Sequence, residues 1–180
     1  MGRLSAAAMA LYVERGFEQT TVAEIAERAG LTARTFFRYY TDKREVLFAG
    51  SAMLGHSLVT ALDEAPASAT PMDAVWVALD AAAKQLGARH EHSRLRQTVI
   101  AANPELQERE HTKMASLSLA IADGLRRRGV EDRDARLAGE VGISVLRVSF
   151  DQWVSGPPTA ELAAVMRASF DQMRVLTGTP

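Results

Sequence analysis

The stretch Gly16–Leu47 reads GFEQTTVAEIAERAGLTARTFFRYYTDKREVL, and its punctuation decides the fold. Thr21 stands where an N-cap belongs, and Glu24 falls at the capping-box position three residues on. The apolar set Val22, Ile25, Ala26 and Ala29 then follows at helical spacing. Gly30-Leu31 makes a tight turn, and Thr32 caps a second short helix, Ala33 to Tyr40. Asp42 caps a long helix carrying Val46, Leu47, Met53, Leu54, Leu58 and Leu62. Two short capped helices joined by a glycine turn are the parts of a helix-turn-helix. A helix of two turns is marginal in water and must be held by neighbours. Phe36 and Tyr40, four apart, give it an inward face. Ala33, Arg34, Phe37 and Arg38 are left on the outer face. A recognition helix offers such a face to the major groove, which is wide enough to admit it.

Outward from this stretch, nearly every segment has helical period, and no alternating strand pattern is convincing. Arg3 to Arg15 carries Leu4, Ala7, Ala8, Leu11 and Tyr12 on one stripe, and Gly16 ends it as a C-cap would. A break at APASATP, residues 65–71, separates two parts of the body. Helices are expected from Met72 to about His90, from about Ser93 to Ala102, and from Pro104 to about Arg128, where Gly129 closes the last. From Asp132 to Val154 apolar residues occupy more than one face, so this helix must be buried on two sides. Ser155-Gly156-Pro157-Pro158 stops it, and a final helix follows with Leu162, Val165, Met166, Met173 and Leu176. The expected fold is all-α, about nine helices: a helix-turn-helix domain over 1–47 and a helical body over 48–180, which the family resemblance given below makes a ligand-binding and dimerisation domain.

The 180 residues are enough to bury a core. No apolar run approaches the roughly 18–20 residues that span a bilayer, and the N-terminus lacks the layout of a secretory signal. With no cysteine there is no disulfide framework and no thiolate metal site. These features point to a cytoplasmic protein. Net charge is -1, so the whole chain does not announce a nucleic-acid binder. Its distribution does. Between Arg28 and Arg44 five basic residues (Arg28, Arg34, Arg38, Lys43, Arg44) face one acidic residue, Asp42, on an otherwise acidic chain. Such a cluster suits a DNA-reading head, and equally a solvated helix face.

In register over more than thirty residues, the stretch resembles the N-terminal domain of the tetracycline-repressor (TetR) family. The resemblance rests on Gly16-Phe17, Thr20-Thr21-Val22, Ile25-Ala26, Ala29-Gly30-Leu31-Thr32, Thr35-Phe36-Phe37, Tyr39-Tyr40, Lys43-Arg44 and Leu47. It implies a DNA-binding regulator, probed through Thr21, Thr32, Ala33, Arg34, Thr35, Phe37, Arg38, Tyr39 and Lys43. Thr21 and Thr32 cap helix N-termini that suit phosphate. Thr35 and Tyr39 are expected at the DNA backbone, and Lys43 resembles the family's phosphate-contacting lysine. Arg34 is the candidate base reader, because a bidentate arginine–guanine contact discriminates by about 1–3 kcal/mol. Phe37 replaces the family's frequent tyrosine and suits a thymine methyl. Arg44 replaces its frequent glutamate.

The resemblance also implies a homodimer through the last two helices and a near-palindromic double-stranded DNA operator. The body is looser. SRLRQTVIAANPELQERE, residues 93–110, together with the penultimate helix carrying Arg147 and Trp153, looks like the C-terminal domain of a TetR subgroup related to the mycofactocin-system regulator. That subgroup implies a small hydrophobic or amphipathic effector, acyl-CoA-like. Met53, Trp76, Val99, Met114, Leu117, Ile121, Phe150 and Trp153 are candidate lining residues, though each reads more readily as ordinary core, and Arg96 and Arg147 are candidate receivers of an anionic head that read equally as surface or interface. No cofactor or metal is implied. His56, His90, His92 and His111 make no chelating pair at helical spacing, and no phosphate loop, nucleophile elbow or zinc-protease motif is present, so no catalysis is expected. A helical adaptor that ignores DNA, and an activator using the same head, remain the alternatives.

Overall fold

The computed structural model describes residues 2–178, and among these no strand occurs. The elements are α1 (Gly2–Arg15), α2 (Val22–Arg28), α3 (Ala33–Phe37), α4 (Glu45–Phe48), α5 (Ser51–Asp63), α6 (Pro71–Leu86), a 3-10 turn (Gly87–Arg89), α7 (His90–Ala101), α8 (Pro104–Arg127), α9 (Asp132–Ser155) and α10 (Leu162–Leu176). The all-α expectation holds, with differences in detail. The single long helix expected after Asp42 is broken by a turn at Ala49-Gly50 into α4 and α5. Regular helix in α3 ends at Phe37, three residues earlier than expected, and a turn carries the chain on to Tyr40. α7 begins at His90 rather than Ser93.

The chain divides into two compact units. One comprises residues 2–51 and 94–110, the other 52–93 and 111–178. The division differs from the expected boundary at residue 47. The reason is in the cores: Val99, Ile100 and Leu106 are buried with the apolar face of α1–α4, against Leu4, Leu11, Phe17, Ile25, Phe36, Val46 and Leu47. Spacing along α7 and α8 shows that these residues form an apolar stripe, but not which core receives it.

In the first unit, local chemistry fixes the helix ends. Gly16 stops α1 at φ +86°, a left-handed conformation open to glycine. Its N–H donates to Tyr12 O at 3.1 Å. Thr21 caps α2, and its capping box with Glu24 is complete. Gly30 turns at φ +64°, and Thr32 caps α3 by accepting from Thr35 N at 3.2 Å.

The second unit buries Leu54, Leu58 and Leu62 of α5 with Val75, Leu79 and Ala82 of α6, Ile121 and Leu125 of α8, Ile143, Leu146 and Trp153 of α9, and Met166 and Phe170 of α10. Among the described residues, the helical stretch Glu45–Asp63 is long and apolar enough by length and composition to cross a membrane, contrary to expectation. Its apolarity has a core use, since Val46, Leu47, Phe48, Leu54, Leu58 and Leu62 are all buried.

In this unit α9 comes close to the backbone of α8. A methyl added at Gly139 would meet Ser118 O at 2.6 Å and Ser118 Oγ at 3.3 Å. Mid-helix Gly→Ala ordinarily gains about 1 kcal/mol. Here the clash is with backbone, which cannot swing away, and overpacking costs about 1–3 kcal/mol. Gly139→Ala is therefore expected to lower stability in chemical denaturation, the reverse of its helix propensity.

Candidate nucleic-acid interface

The short α3 is held from one side only. Phe36 is fully buried and Tyr40 nearly so, their rings 5.3 Å apart. Phe37 meets Phe36 edge-on, with centroids 5.5 Å apart, yet is 57% exposed. Ala33, Arg34 and Arg38 are exposed as well. Thr35 is half-buried, its hydroxyl 3.1 Å from that of Thr32. Tyr39 is exposed and carries Arg38: the guanidinium lies 4.9 Å from the ring centroid and Nη2 donates to the phenol oxygen at 2.9 Å. The structure thus gathers Thr32, Ala33, Arg34, Thr35, Phe37, Arg38 and Tyr39 around one short helix, with exposed Thr21 at the N-terminus of α2.

The basic segment proves less free than its count suggests. Arg28 makes a forked pair with Glu14, at 2.5 and 2.6 Å, and this pairing holds the Glu14 carboxyl below its usual range. Arg44 is bound to Asp42 at 2.8 Å and lies 3.7 Å from Glu105. Asp42 also accepts from the amides of Arg44 and Glu45 at 2.8 and 3.1 Å. Partial burial opposes its ionisation, but Arg44 and these amides prevail and keep the carboxyl below its usual range. Lys43 departs from its expected place: its ammonium turns inward onto the carbonyls of Phe17, Glu18 and Thr20. Of the five basic residues between 28 and 44, Arg34 alone has no ion pair, hydrogen bond or ring contact among the described residues.

α4 is tied to the segment 94–110 in the same unit. Arg96 Nε donates to Leu47 O at 2.8 Å and its Nη1 to Glu110 at 2.9 Å, with the guanidinium 5.1 Å from the Phe48 ring. Arg109 pairs with Glu45. Tyr12 Oη donates to Lys43 O at 2.6 Å, and burial, aided by the charge of Asp42, pushes the phenol well above its usual range. Arg96 and Val99, expected to line an effector site in the body, therefore belong to the packing of the head. Spacing in α7 carries no sign of this, because the partners lie on other helices, far away in sequence.

In the body, Leu117, Ile121 and Trp153 are buried core. Met114, Trp76 and Phe150 pack half-buried against that core. Trp76 lies 5.2 Å from Phe170, under the guanidinium of Arg167. Two further candidates do not face inward: Met53 is 64% exposed and Arg147 is exposed on α9. One residue was missed. His90 stands edge-on to Trp153 at 4.7 Å, its Nε2 2.9 Å from Trp153 O, and its Nδ1 is buried without a hydrogen-bond partner. The spacing of the histidines speaks only to chelation, and no sequence signal places His90 beside Trp153.

A capped helix-turn-helix, with a short second helix presenting an unpaired arginine, defines a DNA-binding protein built on an all-helical body. Comparison with known proteins makes this specific. Residues 4–49 match the model for bacterial regulatory proteins of the tetR family, and residues 69–176 that for the MftR C-terminal domain. The chain belongs to the TetR family, with a C-terminal domain of the MftR type. It is 28% identical over 171 residues to a putative mycofactocin biosynthesis transcriptional regulator, MftR, of Mycobacterium tuberculosis, covering 93% of this chain and 86% of that one. The regulator TcmR of Streptomyces glaucescens is 35% identical over 68 residues, which span 38% of this chain and 30% of TcmR. Among solved structures, FadR of Thermus thermophilus in complex with lauroyl-CoA is similar at a TM-score of 0.58 and 25% identity, over 99% of this chain and 93% of that one. The fatty acid degradation regulator FadR of Bacillus halodurans shares the fold at a TM-score of 0.69 and 20% identity, over 96% of each. The chain is a DNA-binding transcriptional regulator and not an enzyme.

Proposed function

We propose that the chain is a dimeric repressor that reads a near-palindromic operator through α3 and is released by an acyl-CoA-like effector. The observation that carries the DNA reading is Arg34, exposed at the start of α3 and bound to nothing, while its basic neighbours are paired, laid on a ring or turned inward. A guanidinium with no internal partner gives up no protein contact when it meets guanine O6 and N7. Phe37 beside it supplies an apolar contact for a thymine methyl. Thr21, Thr32, Thr35 and Tyr39 suit the phosphate backbone, which positions without specifying. Such a regulator works on the chromosome, in the cytoplasm.

The dimer is assigned to α9 and α10. The outer stripe of α9 runs Leu137, Val141, Ser144, Val148 at spacings of four and three, with Leu137 63% and Val148 61% exposed. On α10, Ala164, Ala168 and Val175 are exposed. Apolar exposure continuous along a helix marks a partner surface. A two-fold pair would set two heads about 34–36 Å apart, one turn of B-DNA.

For the effector, the body offers adaptable apolar groups at the edge of its core, namely Trp76, Met114 and Phe150, with Leu117, Ile121 and Trp153 behind them. Methionine and aromatic side chains accommodate acyl chains of varied shape. His90 Nδ1 supplies a buried polar atom with no internal partner. The similarity to a FadR bound to lauroyl-CoA supports this ligand class.

Arg34→Ala is expected to weaken an operator selected from random sequence by about 1–3 kcal/mol, while leaving random DNA almost unaffected. Equal losses on both would remove Arg34 from base reading, and no DNA binding by the parent protein at low salt would favour a helical adaptor. Val148→Glu, at an exposed position, is expected to give a folded monomer by sedimentation, with weakened operator binding. Lauroyl-CoA, but not free CoA, is expected to release operator DNA in a titration; binding with unchanged operator affinity would end the coupling, because a ligand shifts an equilibrium only by its differential affinity.

A further inference from the structure

We propose that Arg38, held by Tyr39, is a second base-reading group, and that with Arg34 it selects a half-site holding two G·C pairs with one other pair between them. This rests on the reading of α3 as the DNA-reading helix and extends it to the sequence that helix chooses. Arg34 and Arg38 stand four residues apart, and both are exposed. Regular helix ends at Phe37, but the backbone at Arg38 stays helical, with φ −71° and ψ −25°. Four helical residues advance about 6 Å along the axis and return to within about 40° of the same direction. The two side chains therefore leave the same face. Stacked base pairs advance about 3.4 Å each, so this spacing matches about two steps. The rod from Ala33 to Arg38 is about 9 Å long, shorter than the roughly 12 Å width of the major groove. Both of its ends can thus reach base edges at once.

The contact to Tyr39 prepares Arg38 for a directional task. The guanidinium lies 4.9 Å from the ring centroid, and Nη2 donates to the phenol oxygen at 2.9 Å. That hydrogen bond uses one of the five N–H donors of the fork and leaves four. Ring and hydrogen bond together fix the heading of the guanidinium. A phosphate gains little from a fixed heading, because a flexible point charge such as lysine also binds it. A bidentate contact to guanine O6 and N7 depends on it, since two N–H groups must arrive in parallel. Tyr39 is itself exposed. Its oxygen, having accepted from Arg38, keeps its own hydrogen to donate to a phosphate oxygen. The pair can then run from DNA backbone to base edge, with phosphate holding Tyr39 and Tyr39 holding Arg38.

Selection of tight-binding duplexes from a randomised library reads the preference base by base. The parent protein is expected to select half-sites with two G·C pairs separated by one pair. Arg34→Ala should relax one of these pairs and Arg38→Ala the other. Each should lose about 5- to 150-fold on the selected operator and less on random-sequence duplex. Arg38→Lys keeps the charge but not the fork, so it should relax the same pair as Arg38→Ala. Tyr39→Ala should blunt that pair and spare the one read by Arg34. A further measurement needs no variant: 7-deazaguanine, which lacks the N7 acceptor, should weaken binding of the parent protein at either guanine. Arg38→Lys binding as the parent does, with a salt slope made shallower by about 0.9 per contact in Arg38→Ala, is the mark of a phosphate contact and overturns the proposal. So does a pattern left sharp by Arg38→Ala or by Tyr39→Ala, or 7-deazaguanine tolerated at one of the two guanines. These results leave the DNA reading standing. A parent protein that binds no duplex at low salt ends that reading, and this proposal with it.

Discussion

The reading head depends on the burial of Phe36 and Tyr40. α3 has five residues of regular helix, too few for backbone hydrogen bonds to hold it in water. Burying an aromatic side chain contributes about 1.5–3 kcal/mol, and here two rings, tilted and with centroids 5.3 Å apart, fix one face of the helix against α1, α2 and α4. With that face fixed, Arg34, Phe37 and Arg38 have nowhere to go but outward. The exposed face of α3 is thus a by-product of the anchor.

Charge in this head is used mostly for construction. Arg3 donates to Ala29 O and Gly30 O across the helix-turn-helix turn. Arg96 holds the last turn of α4, Arg109 its first residue, and Asp42 the turn before it. These are partly exposed groups, and exposed ion pairs add little stability. Their effect is geometric: Arg3, Arg96 and Asp42 each fix a carbonyl or amide at a helix end, where four backbone groups lack partners, and Arg109 ties down the Glu45 side chain. A count of basic residues therefore overstates the positive potential available to DNA, and among the described basic residues between 28 and 44 Arg34 stands out as the one without a structural task.

The body is organised by close approach instead. Gly139 against Ser118 and Gly142 against Val75 let α9 lie deep between α8 and α6, and this depth allows Ala135, Ala138 and Leu146 to be buried while Leu137 and Val148 still reach solvent. A helix apolar on two sides is the natural result: one side serves its own core, and the other, with Leu137 and Val148, faces solvent.

Much of this was readable from residue order. Caps, glycine turns and a period near 3.6 are local signals, so Thr21, Glu24, Thr32, Gly16 and Gly30 placed the helix-turn-helix, and Phe36 against Arg34 divided inward from outward face. Those signals act within a few residues, and the physics that makes them work, hydrogen bonding at helix ends and side-chain periodicity, does not need the rest of the chain. Partnership across helices has no such signature. That Val99 and Ile100 join the core of the head, that Arg96 grips Leu47 O, that Lys43 turns onto the carbonyls of residues 17, 18 and 20, and that His90 meets Trp153 all depend on where separate helices come to lie. A long flexible cation reads the same in sequence whether it ends in solvent, on phosphate or on backbone carbonyls; packing chooses among them, because packing alone determines which acceptors come within about 3 Å.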